Sequence, residues 1–259
     1  MESKKVSGIM LTIFVVALAL FASSMDIIVV SCAESPTPAF DYDDALTPPD
    51  IPEGAPSGSP PGYWETSEYL IGDVAVGIIF LESNGSIDIE TEDWTTFRES
   101  MVISEITCGL DWLASQNPDA DVSFTFDIHY RVPTSYEPIN HASWWEEDLW
   151  ISEGMTYLGY SGWYWTQVRD YINDLRDALG TDWAFTIFVV DSDNDPDGLF
   201  TDGYFAYAYR GGPFFVMTYD NDRWWIWNMY LIVVHETAHL FYATDEFNGY
   251  TEYSGYLNV

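Results

Sequence analysis

The apolar pattern of the sequence predicts a globular region that begins near Tyr63. Residues 69–81 are aliphatic on both faces, which is typical of a central β-strand. Thr91 then offers an N-cap for a helix that runs to about Ser115, where apolar side chains recur at helical spacing. The side chains predicted to face inward are Trp94, Phe97, Met101, Cys108 and Trp112, with Val102, Ile106 and Leu113 beside them. This helix is therefore expected to pack on the sheet.

The next elements are predicted by alternation and by a helix stop signal. Residues 122–130 alternate between apolar and polar, which predicts a strand with one buried face and places His129 on the polar face as a surface histidine. Residues 133–162 show no regular period and are predicted to be irregular. A helix over residues 163–179 is predicted to end at Gly180, since glycine commonly follows the last helical residue.

Three further strands are predicted before the last helix: residues 184–190, 204–209 and 214–219. The last helix is predicted over residues 224–241, after the capping residues Asp220, Asn221 and Asp222. The element order is then β, α, β, α, β, β, β, α. It predicts an α/β fold with a twisted, mixed, five-stranded sheet, a backing helix and a buried terminal helix.

The composition divides the chain and limits its partners. Residues 1–33 begin with Lys4 and Lys5 followed by an apolar run, which predicts an export signal or an N-terminal anchor and an extracellular or cell-surface protein. Residues 34–62 are rich in Pro and Asp and are predicted to be a spacer before a domain at residues 63–259. The 42 acidic and 8 basic residues would repel a phosphate backbone, so nucleic acid is excluded as a partner. Membrane contact is expected only through the N-terminal anchor.

The two cysteines are Cys32 and Cys108. Because Cys32 lies where an export signal would end, no disulfide is predicted, and Cys108 is expected to be a small buried apolar residue. Cleavage after Ala33 is the preferred interpretation. A lipidated Cys32 and an uncleaved anchor stay open.

The residues with the strongest chemical pattern are His235, Glu236 and His239. Histidines four positions apart on a helix present both imidazoles from one face, where they can hold a single cation. Glu236 would then lie beside the metal and take a proton from water, which is the machinery for hydrolysing an amide bond. Only four histidines occur in the whole chain, and two are in this pattern. The alternative is a pair of histidines on an ordinary core helix.

With Asp245 six positions after His239, the segment HETAHLFYATD resembles the metzincins. These are zinc peptidases with the motif HExxHxxGxxH or, in snapalysin-like members, HExxHxxGxxD. The resemblance implies zinc held by His235, His239 and Asp245, with Glu236 as the general base. It also implies a secreted zinc-dependent endopeptidase that acts on a peptide or protein substrate. By the same resemblance, strand 204–209 would be the sheet edge that receives an extended peptide above the metal.

Two features depart from the family pattern. Tyr242 stands where the family has glycine, at a turn that needs a left-handed backbone, so Glu246 stays open as the third ligand. No methionine follows Met229, whereas the family has a methionine-containing turn beneath the zinc. We therefore expect the natural sequence to continue beyond Val259. A thermolysin-like site would require a glutamate on a later helix, and Glu252 follows too closely for one.

An acidic loop at residues 191–203 predicts a second ion. Asp193, Asp195 and Asp197 alternate before Gly198, as in the DxDxDG part of calcium loops, and their hard oxygen ligands favour Ca²⁺. A solvated acidic turn is the alternative, because Tyr204 stands where an EF-hand has its closing glutamate.

Two other classes of function stay open beside the peptidase. One is an inactive metzincin-like scaffold. The other is a carbohydrate-binding or adhesive surface protein, since exposed aromatic rings stack on sugars. The tryptophans that suggest it are Trp144, Trp145, Trp163 and Trp165. A tryptophan-rich core explains them equally well, and Glu236 has no role in a binding module.

Overall fold

The computed structural model describes residues 45–49, 61–220 and 224–244, all within one compact unit. These residues form six strands and four α-helices. The strands are β1 (Ala45–Leu46), β2 (Asp73–Ser83), β3 (Ser123–Thr134), β4 (Trp183–Val190), β5 (Ala206–Tyr209) and β6 (Phe214–Thr218). The helices are α1 (Thr96–Gln116), α2 (Ser143–Tyr157), α3 (Tyr164–Leu179) and α4 (Met229–Leu240). The fold is therefore mixed α/β, as the element order predicts.

The six strands form one mostly parallel sheet in the order β1-β5-β6-β4-β2-β3. Strand β2 pairs in parallel with β3 and β4, and β4 pairs in parallel with β6. Strand β5 runs antiparallel to β6, and β1 pairs with β5 in parallel. The prediction of five strands is wrong by one, because Ala45–Leu46 of the predicted spacer adds a strand that no apolar period announces.

The sheet lies between two pairs of helices. Val76 and Ile78 of β2 belong to a core cluster shared with α1 and α4, whereas Ala75 and Ile79 belong to one shared with α2 and α3. Every residue of β4 is buried, because this strand is central and covered on both faces. The two-sided aliphatic pattern of β2 has the same cause, so the prediction of a central strand is confirmed.

Helix α1 begins later than predicted, and its predicted inner face is confirmed at Val102, Ile106, Cys108 and Leu113. Its N-cap is Thr95 rather than Thr91, and the Thr95 side chain accepts a hydrogen bond from the Arg98 backbone N–H. Phe97 is 71% exposed, so the predicted inward stripe is wrong at that position and at the exposed Trp112. The buried positions are Arg98, Val102, Glu105, Ile106, Gly109, Leu110 and Leu113, among others. The pattern misled at these positions because three of the buried residues are ionisable: Arg98, Glu99 and Glu105.

Residues 133–162, predicted to be irregular, contain helix α2. Its buried face combines Trp150, Ile151 and Met155 with the acidic Glu147, so the apolar period is hidden. Helix α3 is confirmed, and Gly180 ends it with a φ of 69°. Helix α4 is shorter than predicted, since a 3₁₀ turn, Ile226–Asn228, precedes it.

Cys108 is buried, but it belongs to a disulfide, which corrects the expectation of an unpaired thiol. The other cysteine of the sequence, Cys32, lies outside the described residues, as do the predicted export signal and most of the spacer. None of the helices in the described ranges is long and apolar enough to cross a bilayer.

Candidate metal centre

The start of helix α4 is held against α1 by a carboxylate and a glycine. Glu105 Oε2 accepts a hydrogen bond of 3.2 Å from the Tyr230 backbone N–H, one of the donors that a helix start leaves without an internal partner. Burial raises the pKa of Glu105, and the bond from Tyr230 lowers it. A Cβ at Gly109 would lie 2.7 Å from the Tyr230 carbonyl oxygen, so only glycine lets the two helices approach this closely. Glu105 therefore caps α4 from a neighbouring helix, whereas Asn221 and Asp222, two of the three predicted capping residues, lie outside the described residues.

His235 and His239 meet at their Nε2 atoms, which are 3.0 Å apart. Their rings are nearly perpendicular, with an interplanar angle of 85° and centroids 4.5 Å apart. Two imidazole nitrogens on one tetrahedral zinc ion would be roughly 3.3 Å apart, since each Zn–N bond is about 2.0–2.1 Å. The pair therefore fits a shared zinc ion after a shift of a few tenths of an ångström.

The tautomer of His239 is fixed by its other ring nitrogen. Nδ1 of His239 lies 3.0 Å from the carbonyl oxygen of Ala243. A carbonyl oxygen only accepts hydrogen bonds, so Nδ1 carries the proton and the neutral ring keeps a lone pair on Nε2. Metal-binding histidines characteristically donate their second ring N–H in this way. The donor set thus suits a metal cation at the Nε2 atoms.

The predicted third ligand, Asp245, lies outside the described residues, and so does its alternative Glu246. Across residues 45–49, 61–220 and 224–244, no three His, Cys, Asp or Glu side chains are grouped to hold a metal ion. The structure therefore brings together two of the three predicted ligands. Glu236, the predicted base, is fully buried on the same helix, next in sequence to the partly exposed His235.

The end of helix α4 is built around Tyr242, which has a φ of 70°. Its backbone N–H donates to the carbonyl of His239, and the Ala243 N–H donates to that of Ala238, both at 3.0 Å. This pair of hydrogen bonds forms a Schellman motif, in which the left-handed residue is usually glycine. The predicted left-handed turn is thus present with tyrosine in it.

The ring of Tyr242 packs on Gly211, in the turn that follows β5. A Cβ at Gly211 would lie 2.5 Å from Tyr242 Oη, so a glycine in the facing turn makes room for the phenol. The Gly211 N–H also lies 3.4 Å from the carbonyl oxygen of His239. The end of α4 and the end of β5 are therefore in direct contact at the histidine pair.

In the acidic loop, Arg98 of α1 pairs with two of the aspartates. Its Nη1 lies 2.6 Å from Asp193 Oδ2, and its Nη2 lies 3.3 Å from Asp191 Oδ2. Burial raises the pKa of Asp191 to about 7, and the Arg98 charge opposes that rise. A guanidinium thus neutralises one of the three residues predicted to bind calcium.

The other two predicted calcium ligands form local turns. Asp195 Oδ1 accepts hydrogen bonds from the N–H groups of Asp197 and Gly198, and Asp197 Oδ1 accepts one from Leu199. Such side-chain turns stabilise an acidic loop without an ion. The calcium site stays a prediction.

A buried carboxylate that the sequence did not single out lies on the other side of the sheet. Glu147 of α2 accepts hydrogen bonds from the hydroxyls of Tyr164, Tyr207 and Tyr209, at 2.7–2.9 Å. Complete burial raises its pKa to about 8, and the three hydroxyls oppose the rise. The cluster ties α2 to α3 and β5, so its role is structural. The only sequence signal for this cluster is the pair of alternating tyrosines in β5, Tyr207 and Tyr209.

The four tryptophans that suggested a sugar-binding surface differ in how much of the side chain is exposed. Trp165 is fully buried, and Trp144 is half-buried against Tyr204 and Tyr207. Trp145 and Trp163 are 75% and 51% exposed. Half of this set therefore belongs to the core.

Comparison with protein-family models and with curated proteins finds no match for the chain.

Proposed function

We propose that the protein is an exported zinc-dependent endopeptidase of the metzincin type. The observation that carries the proposal is the convergence of His235 Nε2 and His239 Nε2 to 3.0 Å, with the Ala243 carbonyl fixing the tautomer of His239. A hydrogen bond between the two rings would also bring the Nε2 atoms to 3.0 Å, whereas zinc requires both nitrogens to be unprotonated, so a zinc titration separates the two states. Asp245 is proposed as the third ligand.

The order of elements supports the same proposal. Helix α1 backs the sheet, and α4 follows the last strand with the motif at its end, as the resemblance to metzincins implies. The Schellman turn at Tyr242 also keeps the left-handed residue that the family motif needs at this position. The glycine of that motif is thus replaced without loss of the turn.

When bound, zinc would polarise the substrate carbonyl and make water acidic enough to attack it near neutral pH. His235 and His239 supply ligand nitrogens. Glu236 takes the proton of the attacking water on its carboxylate and passes it to the amine that leaves. A net charge of −34 would favour the approach of cationic polypeptides.

Three variants of the purified protein test the proposal. Glu236→Gln should keep zinc and lose peptide hydrolysis by about 10²-fold to 10⁴-fold, because only proton transfer is removed. His239→Ala should lose the zinc itself. The matched control is His129→Ala, since His129 is a partly exposed histidine 2.9 Å from Asp127 and outside the motif.

Zinc is counted by elemental analysis, and hydrolysis is followed on an unfolded protein. Hydrolysis by Glu236→Gln within tenfold of the parent would remove Glu236 from its role. Full zinc content in His239→Ala would refute the metal site. Bound zinc without any hydrolysis in the parent protein would identify an inactive scaffold.

A further inference from the structure

The outer edge of β5 is partly covered by the chain's own N-terminal segment. Ala45 and Leu46 pair in parallel with Ala208 and Tyr209, and the Arg210 N–H donates to the Leu46 carbonyl oxygen at 2.8 Å. These two residues come from the Pro/Asp-rich stretch before the domain. Without them, β5 would be the edge of the sheet on this side.

This edge is the one nearest the histidine pair. Ala206 and Ala208 of β5 share a core cluster with Leu240 and Phe241 at the end of α4. The Gly211 N–H approaches the His239 carbonyl oxygen at 3.4 Å. The opposite sheet edge, β3, lies beyond β6, β4 and β2. A polypeptide strand added to β5 would thus lie beside the end of α4, and one added to β3 would not.

The covering segment, residues 45–49, contains a strand of only two residues, Ala45–Leu46. Leu46 is half-buried against the core cluster of α2 and α3, Pro48 is buried, and Thr47 and Pro49 are exposed. Each backbone hydrogen bond contributes a net of about 0.5–1.5 kcal/mol, so a strand of this length is easily replaced by a longer one. An exposed sheet edge accepts extended polypeptides through the same backbone groups.

We propose that residues 45–49 are an internal competitor that an extended polypeptide displaces from the outer edge of β5. The inference rests on the proposed function, because the displacing polypeptide is the substrate of the nearby zinc site. The segment thereby sets a threshold: only a chain that is unfolded over several residues gains enough pairing to replace it. The apparent affinity for substrate is reduced by the fraction of molecules in which the edge is covered.

Leu46→Asp and Thr47→Asp test the competitor as a matched pair. Both add one negative charge at neighbouring positions, but only Leu46 packs on the core. Leu46→Gly is the second variant, because it removes the packing without adding charge. Binding is measured in a Glu236→Gln background by fluorescence anisotropy, with labelled ribonuclease A that has been reduced and carbamidomethylated as the unfolded, cationic probe. Circular dichroism checks that each variant is folded.

Both Leu46 variants should bind the probe on the order of threefold to tenfold more tightly than the parent, and Thr47→Asp should match the parent. Hydrogen exchange at the Arg210 amide should become faster in the Leu46 variants, because its acceptor is the Leu46 carbonyl. With Glu236 intact, KM should fall by the same factor while kcat is unchanged. Equal probe binding by all variants, or an Arg210 amide that stays protected, would overturn the competitor.

The two proposals fail in different ways. If the Leu46 variants bind the probe more tightly but no form of the protein hydrolyses it, the peptidase proposal is refuted and the competitor proposal is supported. If the parent hydrolyses the probe and the Leu46 variants behave like the parent in binding and exchange, the competitor fails and the peptidase stands.

Discussion

The buried carboxylate of Glu147 should make the protein lose stability as pH rises. Its pKa is raised from 4.5 to about 8, chiefly by burial. Between these two values the folded protein holds a proton that the unfolded chain has released, so the free energy of unfolding falls with increasing pH. The contribution is fully present below about pH 4.5 and is lost as pH rises through about 8.

The structure sets a ceiling on this effect. One pKa unit corresponds to about 1.4 kcal/mol, so the full shift corresponds to roughly 5 kcal/mol. The three tyrosine hydroxyls hydrogen-bond the ionised form, and the pKa of about 8 already includes their effect. Because pH 5 to 8 covers most but not all of the transition, we expect a loss of about 2–4 kcal/mol over this range from Glu147.

Glu147→Gln isolates the contribution of Glu147 ionisation to the pH dependence of stability, because an amide of the same size cannot ionise. Asp148→Asn is the matched control, since Asp148 is the exposed neighbour on the same helix. Urea unfolding is followed by tryptophan fluorescence at several pH values, with a chelator present to remove any linkage to metal. The difference in unfolding free energy between the parent and Glu147→Gln should shrink or reverse as pH rises. A difference that does not change with pH would refute a buried, proton-binding Glu147.

Three further predictions concern the surroundings of the site. Gly109→Ala should destabilise the fold by about 1–3 kcal/mol and weaken zinc binding, because the new Cβ would meet the Tyr230 carbonyl; unfolding and zinc titrations check both. Millimolar calcium should raise Tm, and Asp195→Asn should blunt the rise; a constant Tm would leave the loop as an acidic turn. Gly211→Ala should destabilise the parent, and in a Tyr242→Gly background its cost should fall by about 1 kcal/mol or more in a double-mutant cycle. Additive costs would show that the two positions do not touch.

Where burial follows the local pattern, the sequence was a sufficient guide. Strand β2 is apolar on both faces and is central, and α3 ends at Gly180 in a left-handed conformation. The polar face of β3 carries His129, as the alternation predicts, with Asp127 as its partner. These features depend on neighbours within a few positions, so the periodicity contains the information.

The pattern failed where a charged residue is buried against a partner that is distant in the chain. Glu147 is inward because three tyrosine hydroxyls from α3 and β5 surround it, and its presence hides the period of α2. Arg98 and Glu105 of α1 face inward for the same reason. Arg98 forms an ion pair with Asp191, and Glu105 accepts a hydrogen bond from the Tyr230 backbone N–H. A local pattern scores such positions as surface, whereas the fold supplies their partners.

Tyr242 extends the same reasoning to the candidate metal centre. From the motif alone, a tyrosine in place of glycine counts against the turn, because a side chain resists positive φ. In the fold, the turn is made with a φ of 70°, and the room for the ring comes from Gly211 in the loop after β5. The glycine that makes room at this junction is thus Gly211, in the turn after β5, and not the residue at the end of α4. Contacts with that element contribute to holding the turn and so offset its strain. Gly211 therefore provides the space for the ring, while the positive φ that favours glycine is still adopted by Tyr242.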